Sequence, residues 1–203
     1  MTRAVMVMTV LALALPLTAA RPMAGQSDPE RYNIDASHSY VGFSVRHLAV
    51  TNVRGKFTRF SGHIMLNEQD MTKSTVNVTI EAGSIDTSNE RRDADLRSDN
   101  FFDAGTFPSI TFVGRRVERG DDGLVLVGDL TMRDVTKEVR VPFELTGPVV
   151  SANGQKRIGA EGTLRVNRFD YGLKWNTLRE AVPVVGEEVR IELNVEAVTP
   201  RQQ

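Results

Sequence analysis

Three histidines and one acid-rich stretch are the residues whose types and spacing invite a chemical reading. His38, in Asp35-Ala36-Ser37-His38-Ser39, and His47 can hydrogen-bond a ligand's polar group or titrate near neutral pH. They can equally tie the end of a fold together through backbone carbonyls, because buried polar groups normally find partners. His63 is isolated and reads as a surface residue. A closed metal site needs about four convergent ligands, and three scattered histidines in a chain with no cysteine do not supply them. The acids Asp86, Glu90, Asp93, Asp95, Asp99 and Asp103 could furnish a general acid and base. Interleaved with Arg91, Arg92 and Arg97, they read more simply as helix capping and ion pairing on a solvated turn. No nucleophile motif, phosphate loop or metal spacing accompanies them. The sequence therefore assigns no catalytic residue, no metal and no cofactor.

Composition narrows the remaining classes. Lys and Arg number 25 against 26 Asp and Glu, so the chain lacks the basic surface that nucleic-acid binding requires. Zero cysteine removes disulfide scaffolds, thiolate metal sites and thiol nucleophiles. A 40% hydrophobic content over 203 residues can fill one ordinary core.

Residues 1–20 read as a signal peptide rather than as part of the fold. Arg3 precedes an apolar run from Ala4 to Leu17, and Thr18-Ala19-Ala20 supplies the small residues expected at a cleavage point. The run is shorter than the ~20 residues of a spanning helix, so no stable membrane anchor is expected after the leader is removed. Residues 21–30 carry Pro, Gly, Gln and Ser without periodicity and read as a flexible lead-in. Residues 31–199 read as a single domain.

That domain must position whatever it binds with strands, because its apolar residues recur with period two. Val41, Phe43 and Val45 alternate with Gly42, Ser44 and Arg46. Val76, Val78 and Ile80 alternate with Asn77, Thr79 and Glu81. The same pattern holds for Val139, Val141, Phe143 and Leu145, and for Val189, Ile191, Leu193 and Val195. Such alternation marks half-buried antiparallel strands. Eight strands are predicted, over 32–48, 52–66, 74–83, 109–118, 123–133, 137–147, 156–169 and 187–198. After the third comes a charged stretch, Ser88 to Asp103, in which Ser88 or Asn89 can cap a short helix. Phe101 and Phe102 follow it as a plug, and Gly172 to Pro183 is a second irregular segment, holding the single Trp175.

Eight antiparallel strands leave no exposed edge only if the sheet closes. The expected fold is all-β, an extended eight-stranded antiparallel barrel with inward faces of Val, Ile, Leu and Phe. Such a tube suits a chain-like apolar ligand, since each buried CH₂ contributes roughly 0.8 kcal/mol. It can also be filled by its own side chains, and the pattern alone leaves these readings even.

Four blocks carry a family resemblance. YNIDASHSYVGFSVRHLAVTNVRGKF (Tyr32 to Phe57), VNVTIEAGSIDTSNERRDADLRSDNFFDAGTFPSITF (Val76 to Phe112), GDLTMRDVTKEVRVPFEL (Gly128 to Leu145) and RVNRFDYGLKW (Arg165 to Trp175) resemble, in order, the YceI family of secreted lipocalin-like proteins. The resemblance implies a lipocalin-like barrel that binds a polyisoprenoid or similar amphiphilic lipid, in an exported, periplasmic protein. One departure is visible: many relatives carry His before the LRS segment, where this chain has Ala94 and Asp95. The resemblance leaves a homodimer open, although no outer face shows an apolar stripe that supports one.

The residues expected to bind the ligand are Phe43, Val45, His47, Phe57, Val78, Ile80, Phe101, Phe102, Phe112, Val141, Phe143 and Trp175. Roles compatible with such a site are carriage, storage or stress-related scavenging, with an isoprenoid quinone among the ligands. Two rivals make different demands. An enzyme acting on such lipids requires two polar side chains converging inside the barrel, and a filled barrel acting through its surface requires that there be no cavity.

Overall fold

The computed structural model describes residues 28–121, 123–176, 178–179 and 182–201. The expected signal peptide, residues 1–20, lies outside the described residues, as does most of the lead-in; its last residue, Glu30, already begins the first strand. The strands are β1 (Glu30–Ile34), β2 (Tyr40–His47), β3 (Thr51–Phe57), β4 (Phe60–Leu66), β5 (Thr75–Glu81), β6 (Ile85–Asp86), β7 (Ser109–Gly120), β8 (Gly123–Met132), β9 (Val135–Val150), β10 (Lys156–Asn167), the short pair β11 (Leu178–Arg179) and β12 (Val182–Pro183), and β13 (Val185–Val198). One helix, α1, spans Glu90–Arg97.

All strands except β11 and β12 join one antiparallel sheet, and the pairing of β1 with β13 closes it into a barrel. Two expected strands each turn out to be bent. The 32–48 segment breaks at a short 3₁₀ turn, Ala36–His38, capped by the Asp35 carboxylate on the Ser37 N–H. The 52–66 segment breaks at Thr58-Arg59, where both backbone and side chain of Thr58 reach the Ser84 carbonyl. With each bent pair counted as one strand and the two-residue β6 set aside as an addition to the edge of β3, the wall has eight strands, as the alternation predicts. The bends let β13 pair with β1 at its C-terminal end and with β2 along the rest of its length.

The expected 109–118 strand differs in register. A bulge between Gly114 and Arg116 shifts its pairing with β8. Strict alternation from Ile110 and Phe112 would put Val117 outside, but the extra residue returns it to the core, where it is 4% exposed. Arg115 and Arg116 both face solvent as a result, and there they meet Asp129, Glu118 and Glu138.

Helix α1 forms where expected, capped by Asn89, whose side chain accepts from the Arg92 N–H at 3.0 Å. The expected ion pairing of its arginines is not what holds it. Arg92 donates to the Thr87 hydroxyl and carbonyl, and Arg97 donates to the carbonyls of Gly83 and Ile85. Buried Asp93 accepts from the Thr87 N–H and hydroxyl at 2.9 and 2.5 Å. The reason is geometric: a two-residue strand, β6, leaves nearby carbonyls without ladder partners, and guanidinium groups satisfy them.

The two ends of the barrel differ. At one, Tyr32, Ile64, Leu66, Ile158 and Ala197 form a tightly buried cluster. Burial pushes the Tyr32 phenol upward, with Glu30 adding to the shift. At the other end, α1, the segment after it and the Arg168–Tyr171 turn cover a larger cluster. The expected 156–169 strand stops at Asn167, whose side chain caps that turn. No helix among the described residues is long and apolar enough to cross a membrane.

Candidate functional site

A cavity of about 240 Å³ runs inside the barrel, and its wall is apolar apart from Ser74, Glu161 and Arg168. An engineered Leu/Ile/Phe-lined cavity of roughly 150 Å³ stays dry and admits benzene. The space here is larger, and it is drawn out along the strands rather than round. Its lining extends from Ile34, Leu66 and Met71 near the closed end to Leu96, Leu173 and Val185 near the covered end.

Ten of the twelve residues singled out from the sequence line this cavity: Phe43, Val45, Phe57, Val78, Ile80, Phe101, Phe102, Phe112, Val141 and Phe143. The aromatic rings form a connected group. Phe57 lies 5.9 Å from Phe43 and meets Phe102 edge-on at 5.8 Å, measured between ring centroids. His47 and Trp175 lie outside the lining. His47 ends β2, paired with Thr51 and Val185, at the rim where the wall stops. Trp175 lies over Phe101 at 5.2 Å and belongs to the cover.

Sequence reasoning misses Arg168, which lines the same end and is only 4% exposed. Its Nε donates to the Gly186 carbonyl at 2.8 Å. Its terminal nitrogens donate to the carbonyls of Leu173, Trp175 and Val185. The guanidinium also lies 4.4 Å over the Phe169 ring. Burial lowers its pKa, with Glu187 opposing. One buried cation thus fastens the Leu173–Trp175 segment to the start of β13. Arg133, in the β8–β9 turn, makes a second fastening by donating to the carbonyls of Phe101 and Gly172 at 2.7 and 3.1 Å. The Tyr171 phenol beneath this cover is pushed up to about 12 by burial, with Asp170 adding to it. The signal for Arg168 is present in RVNRFDYGLKW, but a lone arginine after a strand does not reveal that it turns inward.

His38 serves a different end of the molecule. It bonds the Asp35 carboxylate at 2.9 Å, rather than the backbone carbonyl that a purely structural histidine would be expected to take. Asp35, His38 and Glu196 present ligand-type atoms within 4.8 Å of one another. Arg157 already bonds Glu196 and lies 3.6 Å from Asp35, so a side-chain cation occupies the place a metal would take. The Ser37 hydroxyl and His38 hold the Asp35 carboxyl well below the usual carboxylate range. Asp35 in turn raises His38 above its ordinary 6.5, helped by Glu196 and opposed by Arg157. The stabilisation tied to His38 is full below 6.5 and fades as pH rises through the raised value. That tied to Asp35 is full above 3.8 and is lost as pH falls towards its lowered value. An NMR titration should therefore find His38 above 6.5, and Asp35→Asn should return it towards 6.5. An unshifted His38 in the unsubstituted protein would contradict the ion-pair geometry.

A family model described as YceI-like domain matches residues 32–197. A UPF0312 protein of Vibrio vulnificus is 32% identical over 193 residues, spanning 94% of this chain and 97% of that protein. Among solved structures, the Campylobacter jejuni YceI protein is 27% identical, with a TM-score of 0.66 over 76% of this chain and 90% of that one. A polyisoprenoid binding domain from Saccharophagus degradans superposes with a TM-score of 0.66 at 18% identity. It covers 83% of this chain and 98% of that domain, and the likeness is one of fold.

Proposed function

The chain belongs to the YceI-like domain family, and from that premise we propose that its barrel binds a polyisoprenoid or similar long-chain amphiphilic lipid, acting as a carrier, store or scavenger rather than as an enzyme. The observation that carries this reading is the drawn-out apolar cavity of about 240 Å³. A lipid tail needs no special chemistry to enter it, because each buried CH₂ contributes roughly 0.8 kcal/mol. The filled-barrel reading requires the opposite, a core without such a space. The Saccharophagus degradans domain, described as polyisoprenoid binding, has the same fold and supports the choice of ligand class.

The tail lies along the Phe43, Phe57 and Phe112 side of the tube, and the polar head sits at the end covered by Phe101 and Trp175. Among the described residues, the polar side chains that line the cavity are engaged with the protein itself, Glu161 accepting from the Asn194 side chain. Ser74 accepts the Asn67 N–H at the closed end, and Arg168 is committed to four carbonyls at the covered end. Isoprenoid quinones fit the same description of ligand. Action outside the cytoplasm, after removal of residues 1–20, fits a carrier of membrane-derived lipid.

Native mass spectrometry of protein purified from its own host, followed by solvent extraction, tests this directly. The expected result is a mass above that of the bare polypeptide and an apolar, chain-like compound in the extract. A bare mass with nothing apolar in the extract sinks the carrier reading.

A further inference from the structure

The β2–β3 hairpin turns through apolar residues, whereas the β8–β9 hairpin makes the same left-handed turn with Arg133 and Asp134. The β2–β3 tip is Leu48-Ala49-Val50, and Val50 is 81% exposed. Leu48 and Ala49 hold left-handed backbone, with φ of 50° and 56°. Glycine or asparagine would adopt that conformation with less steric cost. An exposed turn that keeps apolar side chains in strained backbone is a place where the side chains themselves are wanted.

The charges behind the tip are one-sided. Between Tyr40 and Arg59 there is no acidic residue, in a chain whose acids slightly outnumber its bases. Arg46 and Arg54 are exposed, and among the described residues no carboxylate pairs with either; Arg46 reaches only the Asn52 side chain. Arg54 and Arg190 sit on either side of Ser44 in register, on the outer face. The nearby acids are engaged elsewhere. Glu192 pairs with Arg190, Glu188 with Arg165, Asp86 sits opposite Lys56 in register, and Glu187 acts on Arg168.

The hairpin also stands beside the covered end of the cavity. The Leu48 N–H donates to the Val184 carbonyl, and Val45 and Val185 line the tube just below. We propose that the Leu48–Val50 tip, backed by Arg46 and Arg54, docks this protein on an anionic bilayer surface with the cavity mouth facing the membrane. The apolar tip enters the interface while the arginines meet lipid phosphates, a pairing of apolar burial and charge attraction that holds peripheral proteins on membranes. This rests on the lipid-binding reading, because it supplies the route by which cargo leaves the bilayer.

The test is cosedimentation of the full chain with phosphatidylcholine vesicles, with and without phosphatidylglycerol, at low and high salt. The expected result is binding only to phosphatidylglycerol vesicles, weakened by salt and lowered about ten-fold or more by Val50→Asp or by Arg54→Glu. Both positions are exposed, so the barrel folds in either variant, and both variants still take up a lipid delivered from detergent. Equal binding to the two vesicle types overturns the proposal, as does wild-type binding by both variants. So does a change in oligomeric state with Val50→Asp, which would assign the tip to a second copy. Vesicle binding without any cavity lipid would instead count against the carrier reading and leave the docking surface standing.

Discussion

Replacing Phe43 by arginine is expected to abolish lipid uptake. Phe43 faces the cavity midway along β2, paired with Ile191 on one side and Gly55 on the other. Its ring fills the space over Gly55, where even an added methyl group would meet it at 2.5 Å. An arginine there places a cation against a wall whose only acid among the described residues, Glu161, already accepts from the Asn194 side chain. The effective cost of an unpaired buried ion is several kcal/mol. At about 1.4 kcal/mol per decade, binding of a fluorescent polyprenyl analogue should fall by at least about a hundred-fold. Phe43→Leu keeps the wall apolar and should stay within about ten-fold of the unsubstituted protein. Circular dichroism separates lost binding from lost folding. A folded Phe43→Arg variant that takes up the analogue normally would show that this face does not touch the ligand.

A large loss of stability for a change of one methyl group is expected at Gly128. It pairs directly with Gly114 beside the β7 bulge. A Cβ at Gly128 would lie 2.4 Å from the Val113 carbonyl oxygen and 2.6 Å from the Gly114 Cα, both backbone atoms that cannot rotate away. A Cβ at Gly114 would meet first the end of the Leu126 side chain, at 2.9 Å, which can move. Glycine-to-alanine changes that fit their site stabilise by roughly 0.4–1 kcal/mol through the unfolded chain. Forced overpacking instead costs typically about 1–3 kcal/mol, occasionally more. Gly128→Ala should therefore fall at the costly end of that range, and Gly114→Ala should be milder. Urea denaturation midpoints compare them, and a Gly128→Ala protein as stable as Gly114→Ala would mean that the two strands separate more easily than their pairing implies.

Much of the wall is legible in the residue pattern. The alternation over 139–145 places Val139, Val141, Phe143 and Leu145 on the cavity, and that over 189–195 does the same for Val189, Ile191, Leu193 and Val195. Over these two stretches the pairing keeps an unbroken period, so residue parity and side-chain direction coincide. Parity fails where the chain inserts or bends. Val117 changes sides at the bulge, and the turn at Ala36–His38 splits one expected strand in two. His47 obeys the parity of β2 but falls where the wall has already ended. The arginines near α1 look like partners for the neighbouring acids, and instead bond carbonyls brought to them by β6 and the segment before it. That choice depends on which backbone groups lack a ladder partner, and adjacency in sequence does not carry this information.

The sequence by itself determined that the molecule is a strand-built barrel with an aliphatic and phenylalanine interior, because a two-residue period is a local property of the chain. It also determined the chemistry available inside, since a chain without cysteine and with three histidines has few reactive groups to place. Only the tertiary structure decided whether that interior is filled or open, because a cavity is the difference between the space enclosed by eight curved strands and the volume of the side chains pointing into it. The same holds for the cover: Arg168 and Arg133 fasten segments distant in sequence, and their role exists only once those carbonyls have been brought within hydrogen-bond reach.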